Sequence, residues 1–299
     1  MSDWGKGVIN DIGWGQGANN DIGWGSIYDK SNAGETLLSG GGVFNNAFTI
    51  EVKTDNVGDS NDNQFTMARV IGDYDVVAKQ GGNIVETFSN LSGEQILTFA
   101  NGAGTYRLEI TPKETNPFTK IEYNNDKDNN KLTNIVTYGD IAWTFMSFYR
   151  CSNLTSIGDR IYNGAGITSF IRCFHTTFPT NVINIQEDFF WDCPNVLSFS
   201  QAFRGNRTIS FSPRLFEKCT LVETFSSCFK DVTIPTITYS KMMINLEATN
   251  VKDNVPFQGG DSQYDPNISD SAMGSNLTAG QARAALINRG WTFTDNGPI

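Results

Sequence analysis

Histidine is almost missing from this chain: among 299 residues only His175 carries an imidazole. Five cysteines stand singly at Cys151, Cys173, Cys193, Cys219 and Cys228, with no Cys-x-x-Cys pair. That spacing, with so little histidine, predicts no zinc site, and an odd number of thiols cannot pair completely within one chain. Positive charge is scarce too. Lys and Arg total 22 against 32 Asp and Glu, for a formal net charge of −10. No run of bases stands out, so the sequence predicts no nucleic-acid surface. No stretch approaches the ~20 apolar residues that cross a bilayer, which predicts no membrane insertion. The first residues, MSDWGKG, lack the basic and apolar regions of a secretory signal, so the expectation is a protein made and retained in the cytoplasm.

What is present begins with a repeat. The phrase WGKGVINDIG is followed by WGQGANNDIG and then by WGSIYDKSNAG. Trp4, Trp14 and Trp24 each precede a glycine, and the Ile12-Gly13 pair recurs as Ile22-Gly23. A ten-residue step is no multiple of the roughly 3.6-residue helical period, and dense Gly and Asn oppose helix. An even step does preserve strand parity, so the tryptophans would share one face of an extended ribbon. Such a ribbon carries three large apolar anchors and little chain to bury them. Trp4, Trp14, Trp24, Ile12, Ile22, Gly13 and Gly23 are therefore expected to dock on a partner, because exposed aromatic anchors typify interfaces. The glycines at 40–42 read as a hinge, which bounds this anchor at residues 1–42.

Residues 43–117 read as short strands separated by turns. FTIEVKT (48–54), FTMARVIG (65–72), YDVVAK (74–79), NIVETFS (83–89), EQILTFA (94–100) and TYRLEIT (105–111) each have two-residue character, bounded by Gly, Asn or Ser. The pattern predicts a small β-sandwich. The ending NGAGTYRLEIT (101–111) resembles the PKD-like or immunoglobulin-like module that precedes BspA-type leucine-rich repeats in Bacteroidetes surface and phage proteins. The Trp-Gly-Asp-Gly turn of that module is replaced here by VIGDY at 70–74.

Past Pro117 the spacing changes. One phrase, Phe-x-x-Cys-x-x-Leu/Val, occurs at Phe148-Cys151-Leu154, Phe190-Cys193-Val196 and Phe216-Cys219-Val222. Its companion, Phe-x-x-Cys/Ala-Phe, occurs at Phe170-Cys173-Phe174, Phe199-Ala202-Phe203 and Phe225-Cys228-Phe229. With Phe145 as a first member, the companion's leading positions 145, 170, 199 and 225 lie 25, 29 and 26 residues apart. That period falls in the leucine-rich-repeat range, each turn supplying a short strand with inward Phe and Cys. Cysteine would act as a small hydrophobe. The alternative, a catalytic thiol at Cys173 near His175, lacks an orienting carboxylate. These phrases resemble BspA-type leucine-rich repeats written with Phe and Cys in place of Leu. The resemblance implies a recognition or adhesion surface at residues 118–299 and no catalytic residues. The helix of LTAGQARAALINRGWTF (277–293), capped by Thr278 and stopped at Gly290, would close the array, with a strand at 291–294 after it.

Two acidic stretches, 55–63 and 126–130, raise calcium as the one cofactor to consider. Asp126, Asp128 and Asn130 alternate as an EF-hand loop opens, but the glycine and closing glutamate of such a loop do not follow. The fold class expected is thus mainly β: an extended Trp-Gly tag, an Ig/PKD-like sandwich at 43–117, and a leucine-rich-repeat solenoid with a C-terminal capping helix. The decads and the IGWGSIY close resemble N-termini of virion proteins from crAss-like phages of Bacteroidetes. That likeness implies a non-enzymatic head fibre or tail appendage, assembled in the host cytoplasm and docked on capsid, portal or tail proteins. Self-association as a trimer and contact with a host-surface glycan or protein are the partners expected. A bacterial BspA-like adhesin and a glycan depolymerase are the alternatives.

Overall fold

The computed structural model describes residues 46–299, apart from 159, 178–182 and 207–208, together with the backbone of two short paired strands, β1 (Thr36–Leu37) and β2 (Val43–Phe44). The chain divides between Val43 and Phe44, and the unit Phe44–Ile299 carries everything below. It is mainly β.

Its first part is antiparallel. Strands β3 (Phe48–Lys53), β4 (Gln64–Met67), β5 (Asp73–Gln80), β6 (Asn83–Ser92), β7 (Gln95–Thr98) and β8 (Thr105–Pro112) fall where the two-residue periodicity puts them. β4 stops early because Arg69 turns to a φ of 46°. β5 alternates half-buried and buried residues along its length, the signature of one face on a core. Next come β9 (Lys120–Asn124) and β10 (Leu132–Thr137). The main sheet runs β10-β3-β8-β5-β6, while β4 pairs with β7. Phe99, just after β7, stacks on Tyr106 of β8 at 4.1 Å and ties the two sheets together.

The second part is parallel. β11 (Phe145–Tyr149) runs alongside β9, β12 (Ile183–Ile185) alongside β13 (Ile209–Phe211), and β14 (Pro256–Gln258) alongside β15 (Thr292–Thr294). Between them the chain advances in register by parallel bridges, Ser169 to Ser198, Ser198 to Thr224 and Phe225 to Phe257. All six Phe-x-x-Cys/Ala phrases are turns closed by an N–H from the Cys or Ala to the Phe carbonyl, as in Cys193 to Phe190 at 3.0 Å and Cys228 to Phe225 at 3.0 Å. Their rings form two columns. Phe170, Phe199 and Phe225 stack at 5.5 Å with interplanar angles of 13° and 4°. Phe148, Phe174, Phe203 and Phe229 stack at 5.9, 5.9 and 5.6 Å.

Three expectations are revised. Phe148 stacks on Phe174, in the companion's column, whereas Phe190 stacks on Phe216 at 6.0 Å. Phe145 is half-buried with the Lys120 ammonium 5.0 Å from its ring, so it does not begin the Phe170 column. Residue 117 is no physical boundary either. β10 pairs with β3, and Phe48 of β3 contacts Phe118, Trp143 and Phe148. One continuous core runs through both parts.

Two helices close the chain. α2 (Ala279–Asn288) has the predicted cap, with the Thr278 hydroxyl accepting from the Gln281 N–H and the Gln281 side chain accepting from the Thr278 N–H. α1 (Thr236–Ala248) follows the ladder directly. It buries Tyr239, Met242, Met243 and Leu246 on one face, spaced i, i+3, i+4 and i+7, and Ile244 on another.

Candidate functional site

The parallel register builds a surface that no local stretch of sequence contains. The N–H groups of Arg150, Thr176 and Gly205 donate to the carbonyls of His175, Arg204 and Lys230 at 3.0, 2.7 and 2.9 Å. Tyr149, His175, Arg204 and Lys230 therefore hold the same place in four successive rungs. Each directly follows a ring of the inward Phe148 column, and strand parity sends it outward. Rungs in such a ladder are ~4.8 Å apart, so the four side chains form a column. The next residue turns the corner in left-handed backbone, with φ of 58° at Arg150, 51° at Thr176, 74° at Gly205 and 63° at Asp231.

This column gathers cations around two rings. Tyr149 and His175 lie 4.6 Å apart. The Arg150 and Arg172 guanidinium carbons stand 5.3 and 6.0 Å from the Tyr149 ring centre. Arg204 is 3.6 Å from the Asp231 carboxylate, which is largely exposed. Burial lowers the His175 imidazole to about 4, and the positive charges of Arg204, Arg172 and Arg150 reinforce the shift against a smaller opposing effect of Asp231. The imidazole is neutral at pH 7. Its Nδ1 is buried and has no hydrogen-bond partner among the described residues. Among those residues the Arg150 guanidinium has no ion pair or hydrogen bond, and that of Arg172 has only the Gln201 side-chain oxygen at 3.2 Å. Both arginines are exposed.

The expectation that no basic cluster exists is corrected here. Positions 149, 175, 204 and 230 are separated by 26, 29 and 26 residues, the ladder's own period, so composition and local charge runs miss them. The readable signal was the residue after each ladder phenylalanine: Tyr, His, Arg, Lys.

A second surface faces solvent at Trp191. Its half-buried ring lies between the Arg160 guanidinium at 5.9 Å and the Lys218 ammonium at 5.5 Å. With Tyr162, Asn163, Gly164, Asp192 and Pro194 it lines a shallow groove of about 290 Å³. Arg160 is itself held by Asp192 at 2.7 Å.

The two acidic stretches do meet, but around a lysine. The Lys131 ammonium, fully buried, donates to the Ser60 carbonyl and hydroxyl at 2.9 Å each, to Asn61 O at 2.8 Å and to Gln64 O at 3.1 Å. Asp128, equally buried, lies 3.7 Å from it and accepts from Ser60 N–H, Ser60 Oγ and Thr66 N–H. Burial pushes the Asp128 carboxyl up, and these hydrogen bonds outweigh that to hold it below the ordinary range. Asp126 instead accepts two bonds from Arg69, at 2.8 and 2.5 Å, and Asn130 Oδ1 accepts from Ser152. The alternating calcium ligands thus diverge, and an ammonium occupies the oxygen cage a cation would need. Gly58 covers it, where a Cβ would sit 2.8 Å from Lys131 Cε and against Asp128.

The chain matches no family model, no curated protein and no solved structure. All five cysteines are unpaired and buried, and burial pushes every thiol up, that of Cys219 to about 12. Cys173 packs inward as expected of a ladder residue, while His175 belongs to the outer column. The docking residues Trp4, Trp14, Trp24, Ile12, Ile22, Gly13 and Gly23 lie outside the described residues. Among the described residues no three metal-ligating side chains converge, and no helix is long and apolar enough to cross a membrane.

Proposed function

We propose that the chain is a structural contact protein of a tailed-phage particle, a head fibre or tail appendage of the crAss-like kind. It docks on other virion proteins through residues 1–42 and presents the remainder for contact with a host-surface glycan or protein. The observation that carries this reading is the tripled Trp-Gly decad. Three large apolar anchors recur in a stretch that has little other apolar chain, ahead of a unit with its own continuous core. Such a stretch is best explained by a partner.

In this reading the antiparallel part is an Ig/PKD-like sandwich and the ladder a BspA-type leucine-rich-repeat solenoid closed by α2. The 25-to-29-residue period, the parallel register and the stacked Phe columns support the second assignment. The cationic column and the Trp191 groove supply contact surfaces of the polar-aromatic kind that recognition modules use. Trimerisation would let three sets of decads share burial. Removal of residues 2–30 should leave a folded protein that no longer joins particles; normal incorporation of that truncated chain overturns the docking role.

A further inference from the structure

We propose that the column formed by Tyr149, His175 and Arg204, with Arg150 and Arg172 beside it, is a binding site for a single oxyanion group, a carboxylate, sulfate or phosphate carried on a small ligand. The inference goes beyond the virion reading and stands whether or not the decads dock. It starts from charge. In a chain of net charge −10, three guanidiniums converge on one tyrosine-histidine pair. Among the described residues Asp231 is the one carboxylate paired with them, and it reaches only Arg204, at 3.6 Å.

Like charges set close together repel, and the imidazole beside them, lowered first by burial and further by these arginines, stays neutral. An oxyanion relieves that repulsion. Arg150 and Arg172 present planar forks with unused N–H donors, the group best matched to a two-oxygen acceptor. The buried Nδ1 of His175, without a partner, gives the imidazole a second way to respond: with an anion at hand it can take a proton and donate. The acidic surroundings favour one anionic group held at short range over a long polyanion, whose many phosphates the rest of the surface would repel.

Because His175 is the only histidine, its imidazole signal in a proton-nitrogen NMR spectrum needs no assignment and reports on this site alone. The full-length protein is titrated with sodium sulfate, with sodium glucuronate and with a sulfated disaccharide, each against sodium chloride at matched ionic strength. The groups facing the imidazole are Tyr149, Arg150, Arg172, Arg204 and Asp231. The expected result is a saturable shift of the signal and a rise of its midpoint from about 4 with the oxyanions, and neither with chloride. Arg150→Gln with Arg172→Gln, both exposed, should weaken binding by about tenfold or more while the melting temperature holds, as expected for lost charge-assisted contacts. Saturation by the sugars at lower concentration than by sulfate assigns the group to an acidic saccharide; equal concentrations assign it to the free oxyanion. The proposal is overturned if no oxyanion moves the signal more than chloride does, or if the double variant responds like the parent. Neither result bears on particle incorporation, so the two readings fail separately.

Discussion

The antiparallel and parallel parts of this molecule solve the same burial problem with different chemistry. Around β3, β8 and β5 the sheet is held by alternating aliphatic and aromatic side chains, and its loops are fixed by a polar device, the Lys131 ammonium inside an oxygen cage. The ladder holds no buried ion pair among the described residues; its buried Asn206 donates to the Phe174 and Phe203 carbonyls and accepts from the Thr177 N–H, and the rest relies on repetition. It repeats one turn, and behind each turn a phenylalanine lies flat on the next while a thiol fills the space left over. A cage is specific to one place, whereas a column is specific to a period. That difference explains why the ladder can change its outward residue at every rung, and so why it, more than the sheet, carries the candidate ligand surface.

The comparison can be broken first at the column. Phe199 touches Phe170, Phe190, Phe216 and Phe225, so Phe199→Ala should cost about 3–5 kcal/mol, read by chemical denaturation. Because Phe48 of the sheet meets Phe148 of the ladder, the loss should lower a single transition for both parts. Two separate transitions would show that the parts fold independently. Next is the cage. Lys131→Met leaves the buried Asp128 without its cation and should cost about 3 kcal/mol, with no rescue by added calcium in a thermal melt. Cys228→Ser comes third. It puts a hydroxyl into a fully buried ladder position and should cost about 1–3 kcal/mol, while Cys228→Ala costs less. Equal losses for the two would mean that the position is not as apolar as its neighbours.

The smallest effect belongs to His175 and is a slope with pH. The folded midpoint lies near 4 and the unfolded one near 6.5, so between them the unfolded chain binds the proton and the folded chain does not. The favourable contribution is complete above about 6.5 and fades as pH falls towards 4. After allowance for solvent at this half-buried ring it amounts to about 1 kcal/mol. His175→Gln should flatten that part of the stability profile. An unchanged profile contradicts the burial and the cationic surroundings assigned to the ring.

Much of the architecture could be read directly. Two-residue alternation located β3 to β8, Thr278 and Gly290 bracketed α2, and the Phe-x-x-Cys phrases marked the turns. What escaped was non-local. β10 joins the first sheet because tertiary pairing with β3 outweighs the change of pattern after Pro117. Asp126 and Asp128 looked like partners, yet backbone geometry sends one to Arg69 and the other to Ser60 and Thr66. The cationic column was present in the sequence, but only at the ladder's period, one step beyond the phenylalanines.

The central claim is that the tryptophan decads attach this protein to a particle. It is tested most directly by changing Trp4, Trp14 and Trp24 together to alanine in the full-length chain and counting copies on purified particles by quantitative mass spectrometry. The account predicts a protein that keeps the parent's melting temperature and is lost from particles. Undiminished copy number on the particle would contradict it.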